Sequence, residues 1–252
     1  MNSQLGGIPQ PQVSQGSGGD ALWPVASRTV DPGPIPAQDV QHLARQSLRD
    51  PAATRACADT WVQQGWTLEE VYLQGITGAA QCLGQWWLSD EIAFTDVTIA
   101  SSRLHRLLYE CSPAFLVDAL PPRDATVLLI AEPGSQHTMG MFMLSEFFRR
   151  AGWRTLLEQP LSWVDKMRPV TRNWLDVVAI SVGSDRQLDA LRVWIHELRA
   201  LSPNPNIRVI AGGPMAQWIP DQLLAMGVDW VGGDAHATVY RASQDLISTK
   251  VK

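Results

Sequence analysis

The sequence is poor in the features that mark secreted and membrane proteins. It has 3 cysteines in 252 residues, and Cys57, Cys82 and Cys111 are too scattered for a disulfide framework or a Cys-x-x-Cys metal site. No apolar run approaches the roughly 18 residues of a membrane span, and the N-terminus lacks the basic-then-apolar layout of a secretory signal. We therefore expect a cytoplasmic protein that does not enter the membrane, with cysteines that act as small apolar core residues.

Clusters of positive charge are also missing. The net charge is -5 and no dense group of lysine and arginine occurs, so we expect no strong direct binding to nucleic acid. The absence of a Gly-x-Ser-x-Gly elbow argues against a hydrolase of that type. In contrast, 11 tryptophans provide large amphipathic surfaces that suit a core, an interface or a ring-shaped ligand.

The pattern of apolar residues divides the chain into three regions. Residues 1–37 are rich in Gly, Pro, Ser and Gln, which predicts a flexible tail. Residues 38–120 carry apolar side chains at helical spacing, which predicts a cap domain of about four helices. Pro121 and Pro122 then indicate a linker.

Residues 124–250 alternate short apolar runs with segments of helix length. The runs predict strands at 126–131, 153–157, 176–181, 207–211 and 229–231. Consecutive strand-helix units favour a doubly wound α/β domain with a five-stranded parallel sheet. Ligands of such sheets bind outside the carboxyl ends of the strands, so the loops to inspect are 132–138, 182–185, 212–215 and 232–235.

The first of these loops contains His137, one of 5 histidines in the chain. A neutral imidazole is a good ligand for transition metals such as cobalt, and its second nitrogen needs a hydrogen-bond partner, a role that suits Ser135. Haem also needs only an axial histidine in an apolar pocket. The loop alone therefore does not separate a cobalt from a haem ligand.

Three short motifs at the predicted strand ends carry a family resemblance. They resemble the Asp-x-His-x-x-Gly, Ser-x-Leu and Gly-Gly motifs of cobalamin-binding domains of the methionine synthase type: His137 with Gly140, Ser181, and Gly212 with Gly213. The resemblance implies a Rossmann-like cobalamin-binding domain over 124–250. It also implies that His137 is the lower axial ligand of cobalt, that Ser181 contacts the nucleotide tail, and that the two glycines make room for that tail.

The same resemblance extends to a later loop and has two departures. Gly233 matches the final loop of the family. Ser135 stands where the motif has its aspartate, so the hydrogen bond to the histidine is uncharged and weaker. Val182 and Gly183 replace the x-Leu of the second motif, which makes Gly183 a candidate cofactor contact.

The predicted cap resembles the caps of corrinoid carriers and of CarH-type light sensors. Trp87 matches a tryptophan that covers the upper face of the corrin ring in those sensors. Val97 and Thr98 stand where the sensors have a Glu-His pair near the upper ligand, so a CarH-type ligand switch on that histidine is excluded and Thr98 takes its place. His105 shares this helical face and is a possible substitute ligand, but its neighbours Arg103 and Arg106 favour a surface residue.

Residues 86–97, together with the Pro/Gly-rich leader, resemble the AerR/PpaA family of cobalamin-dependent antirepressors. The resemblance implies a light-responsive transcriptional regulator that binds adenosyl-, methyl- or hydroxocobalamin and a repressor of the CrtJ/PpsR type. It implies no catalysis. Two alternatives remain open, a methyl-corrinoid carrier of a methyltransferase system and a module that binds haem or no cofactor.

Overall fold

The computed structural model describes residues 31–133, 135, 138–158 and 162–250, with side chains as far as residue 248. Most of the predicted tail lies outside these residues. Its last part differs from the prediction, because the indole of Trp66 donates to the Gly33 carbonyl at 2.8 Å and the amide of Ile35 donates to Gln74 at 2.8 Å. Ile35 is buried, so residues 33–36 belong to the helical part of the chain.

Within the described residues, the helical part consists of four helical segments. Their elements are α1 (Ala37–Arg49), α2 (Pro51–Gln63), α3 (Leu68–Glu70) continued by a π-helical turn (Val71–Ile76) and α4 (Thr77–Leu88), and α5 (Phe94–Phe115). Side chains of the sequence define two of the starts. Asp50 accepts hydrogen bonds from the first amides of α2, and Thr67 forms a capping box with Glu70 at α3.

The second part is a parallel sheet of five strands in the order β2-β1-β3-β4-β5. Its elements are β1 (Thr126–Ala131), α6 (Met139–Arg150), β2 (Arg154–Glu158), α7 (Met167–Arg172), β3 (Val177–Ser181), α8 (Leu188–Leu201), β4 (Arg208–Gly212), α9 (Pro220–Ala225), β5 (Trp230–Val231) and α10 (Ala235–Lys250). The predicted fold class is confirmed. Helices α7 and α9 are shorter than the segments 163–172 and 216–226 that the pattern predicts.

The two faces of the sheet carry different layers. Alternate residues of a strand point to opposite faces, so Val127 and Leu129 pack with α6, α10 and the cap helices. Leu128 and Ile130 pack with α7, α8 and α9. The chain runs outward in both directions from β1 and β3, which places the ligand crevice between the carboxyl ends of these two strands.

Two expectations from composition can be compared with the fold. Cys111 is buried as expected, but Cys57 and Cys82 are only half-buried, and all three are free thiols. No helix in the described part of the chain is both long and apolar enough to cross a membrane.

Candidate functional site

The carboxyl ends of β1, β3 and β4 meet at one edge of the sheet. Ser181, the last residue of β3, is buried and lies in register with Ala131 of β1 and Gly212 of β4. The amide of Glu132 donates to the Ser181 carbonyl at 3.2 Å, and the amide of Val182 donates to the Gly212 carbonyl at 2.8 Å. The loops that follow these three strands therefore start side by side, as the motif positions predict.

Gly213 has a conformation and an environment that exclude a side chain. Its φ is +96°, and a Cβ atom there would lie 2.8 Å from both the Ser181 hydroxyl and the Val182 carbonyl oxygen. Ser181 and Gly213 are thus direct neighbours. A Cβ at Gly212 would meet nothing within 4 Å, so that glycine leaves open space at the strand end.

The last loop contains a glycine that sequence reasoning missed. A Cβ at Gly232 would lie 2.7 Å from the Thr238 hydroxyl, whereas a Cβ at Gly233 would meet nothing within 4 Å. Gly233 is exposed. The doublet after β5 was a visible signal, but the sequence does not show which glycine is the tightly packed one.

His137 lies outside the described residues, and so do Gly134 and Gln136. Its flanks are placed. The Ser135 amide donates to the Glu132 carbonyl at 3.1 Å, and Gly140 is the second residue of α6 and exposed. The axial role of His137 and the bond from Ser135 stay predictions, and within the described residues no group of three or more His, Cys, Asp or Glu is placed to hold a metal ion.

The remaining candidate residues, Gly183, Thr98 and Trp87, are half-exposed or exposed. Gly183 follows Val182 in the loop after β3 and is half-exposed. Thr98 is exposed and its hydroxyl donates to the Phe94 carbonyl at 2.9 Å. Trp87 is 44% exposed and its ring centroid lies 5.9 Å from that of Phe94, which is 61% exposed, so Trp87 is not a simple core residue.

Helix α5 has one buried face and one face with polar and exposed aromatic side chains. The buried face consists of Ala100, Leu104, Leu107, Leu108, Cys111 and Phe115. An adjacent face, here called the α5 stripe, has a residue every three or four positions: Phe94, Thr98, Ser101, His105 and Tyr109. The stripe reaches α6, because the Tyr109 ring centroid lies 4.0 Å from that of Phe142.

The expectation that His105 is a surface residue is wrong. Its ring centroid lies 5.4 Å from that of Phe142 and 5.1 Å from that of Tyr109. Its Nε2 atom is buried with no hydrogen-bond partner among the described residues, and burial lowers the pKa of the imidazole. The side of α5 that carries His105 packs against Phe142 of α6. Arg103 lies on another side of the helix and donates to the Ser47 carbonyl across the cap, so it does not mark the His105 side as solvent-exposed.

Helix α6 starts directly after the 132–138 loop. The Phe142 ring that contacts the α5 stripe therefore belongs to the helix that follows this loop. The α5 stripe therefore lies against the first turns of the helix that carries the loop onward. Trp87 extends this surface through its contact with Phe94. The result is an exposed, partly aromatic surface on the cap that contacts the first turn of α6.

Comparison with known proteins decides the family. Residues 125–242 match the family model of the B12 binding domain. An uncharacterized 20.5 kDa protein in the bchF-crtJ intergenic region of Rhodobacter capsulatus is 34% identical over 170 residues, which cover 66% of this chain and 87% of that protein. This chain belongs to the same family. Its α/β part is a B12-binding domain.

One solved structure shows the same fold. The monomethylamine corrinoid protein of Methanosarcina barkeri matches with a TM-score of 0.66 and 11% identity, over 84% of this chain and 98% of that chain. A cobalamin-binding protein from Desulfitobacterium hafniense DCB-2 matches with a TM-score of 0.44 and 17% identity, over 82% of this chain and 98% of that one.

Proposed function

We propose that this protein is a cobalamin-binding, light-responsive transcriptional regulator that acts as an antirepressor by binding a repressor of the CrtJ/PpsR type. One observation carries the cofactor part of the proposal. Trp87 and the α5 stripe present exposed aromatic rings on the cap, and Gly212 leaves open space at the carboxyl end of β4. A flat, bulky macrocycle with a long tail needs such a combination of apolar cover and open backbone.

The predicted roles follow the two sides of this site. His137 would hold the cobalt from the lower side, and Ser135 would share a hydrogen bond with the second nitrogen of that imidazole. The small residues at the strand ends and after them would make room for the nucleotide tail: Gly140, Ser181, Gly183, Gly212, Gly213 and Gly233. Trp87 and Thr98 would contact the upper face of the corrin ring, and His105 would supply a neutral imidazole on that side. Bound cobalamin would contribute an upper cobalt ligand that visible light can release or exchange.

The cap, which would cover the upper face of the corrin ring, contacts two helices of the α/β part. The cap contacts α10 through Glu69, whose Oε1 lies 2.6 Å from Nδ1 of His236. It contacts α6 through Phe115, whose ring lies 4.7 Å from the Arg150 guanidinium. A ligand that favours one arrangement of the α5 stripe therefore favours one arrangement of the cap on the sheet.

Support for the regulatory part comes from the curated relative. Its gene lies in the bchF-crtJ intergenic region, and crtJ bears the name of the repressor type that the sequence resemblance implies. Adjacent genes often encode partners, so we assign a repressor of that type as the partner.

The test uses purified protein loaded with hydroxocobalamin and with adenosylcobalamin in the dark. Absorption spectra and affinity for the repressor are measured before and after visible light. We expect the spectrum of at least one holoprotein to change on illumination and the affinity for the repressor to change by tenfold or more, the range of about 1–3 kcal/mol typical of coupling between sites. An unchanged spectrum together with unchanged affinity would overturn the proposal.

A methyl-corrinoid carrier is the second candidate, because the fold matches a corrinoid protein over almost its whole length. Replacement of the motif aspartate by Ser135 speaks against it, since an uncharged partner tunes the axial histidine less strongly. Transfer of a methyl group from bound methylcobalamin to a thiol acceptor would favour the carrier. Absorption spectra after reconstitution with haem test the remaining alternative.

A further inference from the structure

A cluster of three side chains supports the start of the 132–138 loop from the α7 and α8 side of the sheet. The Lys166 ammonium donates to the carbonyl of Ala131, the last residue of β1. The Gln187 amide donates to the carbonyl of Pro133 at 3.0 Å. Trp163 joins the two, because its indole N–H donates to Gln187 at 2.9 Å and its ring centroid lies 3.9 Å from the Lys166 nitrogen.

The lysine is costly at this position. Lys166 is 0% exposed, and burial lowers its pKa to about 7, while Glu132 is the acidic group that opposes this shift. A methionine would fill a similar volume without the cost of burying an amine. The buried amine of Lys166 is therefore explained by its hydrogen bond to the Ala131 carbonyl, directly before the loop.

We propose that Trp163, Lys166 and Gln187 are positioning residues that hold residues 131–133 in place before a cofactor binds, and so set the point from which the chain continues into the loop with His137. This inference rests on the proposed function of that loop. The hydrogen bonds fix both carbonyls on either side of Glu132, whose own amide is held by the Ser181 carbonyl. Holding residues 131–133 in advance reduces the entropy that a ligand must overcome.

The test compares Lys166→Met, Gln187→Ala and Trp163→Phe with a matched control. Asn204→Ala is the control, because buried Asn204 donates to the Leu175 carbonyl at 2.8 Å at the opposite end of the sheet. Hydrogen exchange of peptides covering 131–140 is measured in protein without cofactor. Urea unfolding and hydroxocobalamin titration follow on the same samples.

We expect exchange of 131–140 to rise roughly tenfold in Lys166→Met and Gln187→Ala, and affinity for hydroxocobalamin to fall by a similar factor, the equivalent of about 1.4 kcal/mol. Trp163→Phe keeps an aromatic ring against Lys166, so both the rise in exchange and the loss of affinity should be smaller in this variant. Lys166→Met should be at least as stable as the wild type at pH 7, which a purely structural role of the lysine does not predict. Asn204→Ala should lose stability without a change in exchange at 131–140 or in affinity.

Unchanged exchange at 131–140 in Lys166→Met and Gln187→Ala would overturn the proposal. Equal effects of Asn204→Ala on that segment would overturn it too, since the cluster would then act only through global stability. Failure of the wild type to bind any cobalamin would instead remove the proposed function. The exchange result would still decide whether the cluster positions the loop.

Discussion

The two ends of the sheet are built on different principles. At the amino end, Asp229 accepts hydrogen bonds from Arg199 at 2.7 Å, from Arg208 at 3.2 Å and from the amide of Val209 at 2.7 Å. This one carboxylate joins α8, β4 and the segment before β5. The amino end therefore satisfies its polar groups within the chain and contributes to stability.

The carboxyl end differs, because its backbone is held by Lys166 and Gln187 after β1 but is left open at the end of β4 and after β5. Gly212 and Gly233 leave open space around their backbones, and Trp87 and Phe94 expose large parts of their rings. Exposed aromatic rings and uncovered backbone bring little to the stability of the free protein and much to the binding of a ligand. Substitutions at the two ends should therefore separate effects on stability from effects on cofactor affinity.

The largest effect is expected from Gly213→Ala at the carboxyl end. The new Cβ would clash with Ser181 and Val182 and force an alanine to a φ of +96°, which should lower the free energy of unfolding by about 2–4 kcal/mol and abolish cobalamin binding. Gly212→Ala is the matched control for stability, because its Cβ enters open space. That space is assigned to the nucleotide tail, so this variant should keep its stability and lose affinity. Urea unfolding and hydroxocobalamin titration measure both properties, and equal losses of stability in the two variants would contradict this description of the strand ends.

A comparable effect is expected from the pH dependence due to Lys166. Its pKa in the folded protein is lowered to about 7 from an ordinary value of 10.5, so the unfolded chain binds more protons between these two values. Stability should therefore rise with pH across that window, by about 2–4 kcal/mol. Lys166→Met should remove this rise. Urea unfolding at pH 7 and pH 9.5 measures it, and the same increase in both proteins would show that another group is responsible.

At the amino end, Asp229→Ala should lower the free energy of unfolding by about 1–3 kcal/mol, because the Val209 amide and two guanidinium groups lose an acceptor. Cobalamin affinity should stay within twofold of the wild type. Thermal unfolding and titration of the same preparation check both parts. A large loss of affinity would mean that the two ends are coupled and that the comparison fails.

The smallest effect on stability is expected from Phe94→Ala on the α5 stripe. The ring is 61% exposed, so the free energy of unfolding should change by less than about 0.5 kcal/mol. Affinity for cobalamin should nevertheless fall several-fold, because the ring contributes apolar cover. Val193→Ala provides a control for a similarly exposed apolar residue on α8, away from the site. Equal affinities of the two variants would exclude the stripe from the cofactor site.

Much of the fold could be predicted from the sequence because the signals are local. Strands buried on both faces give continuous apolar runs, as in residues 126–131, and caps such as Thr67 with Glu70 mark helix starts. The neighbourhood of Ser181 and Gly213 was predictable as well, because parallel strands bring their carboxyl ends together.

The missed features depend on packing between distant elements. The position of His105 depends on which side of α5 meets Phe142, and its arginine neighbours in sequence gave the wrong answer. Lys166 has no motif around it, and its burial becomes visible only when Trp163 and the end of β1 are placed together. The packed Gly232 could not be separated from Gly233 without knowing where Thr238 lies.

The most direct test of the central claim is the hydroxocobalamin absorption spectrum of the wild type and of His137→Ala. We expect the wild type to bind the cofactor with its dimethylbenzimidazole base displaced by a histidine, and we expect His137→Ala to shift the spectrum and weaken binding by at least tenfold. His196→Ala, on α8, serves as the control and should match the wild type. Retained affinity and an unaltered spectrum in His137→Ala would contradict the assignment of the carboxyl end as a cobalt site.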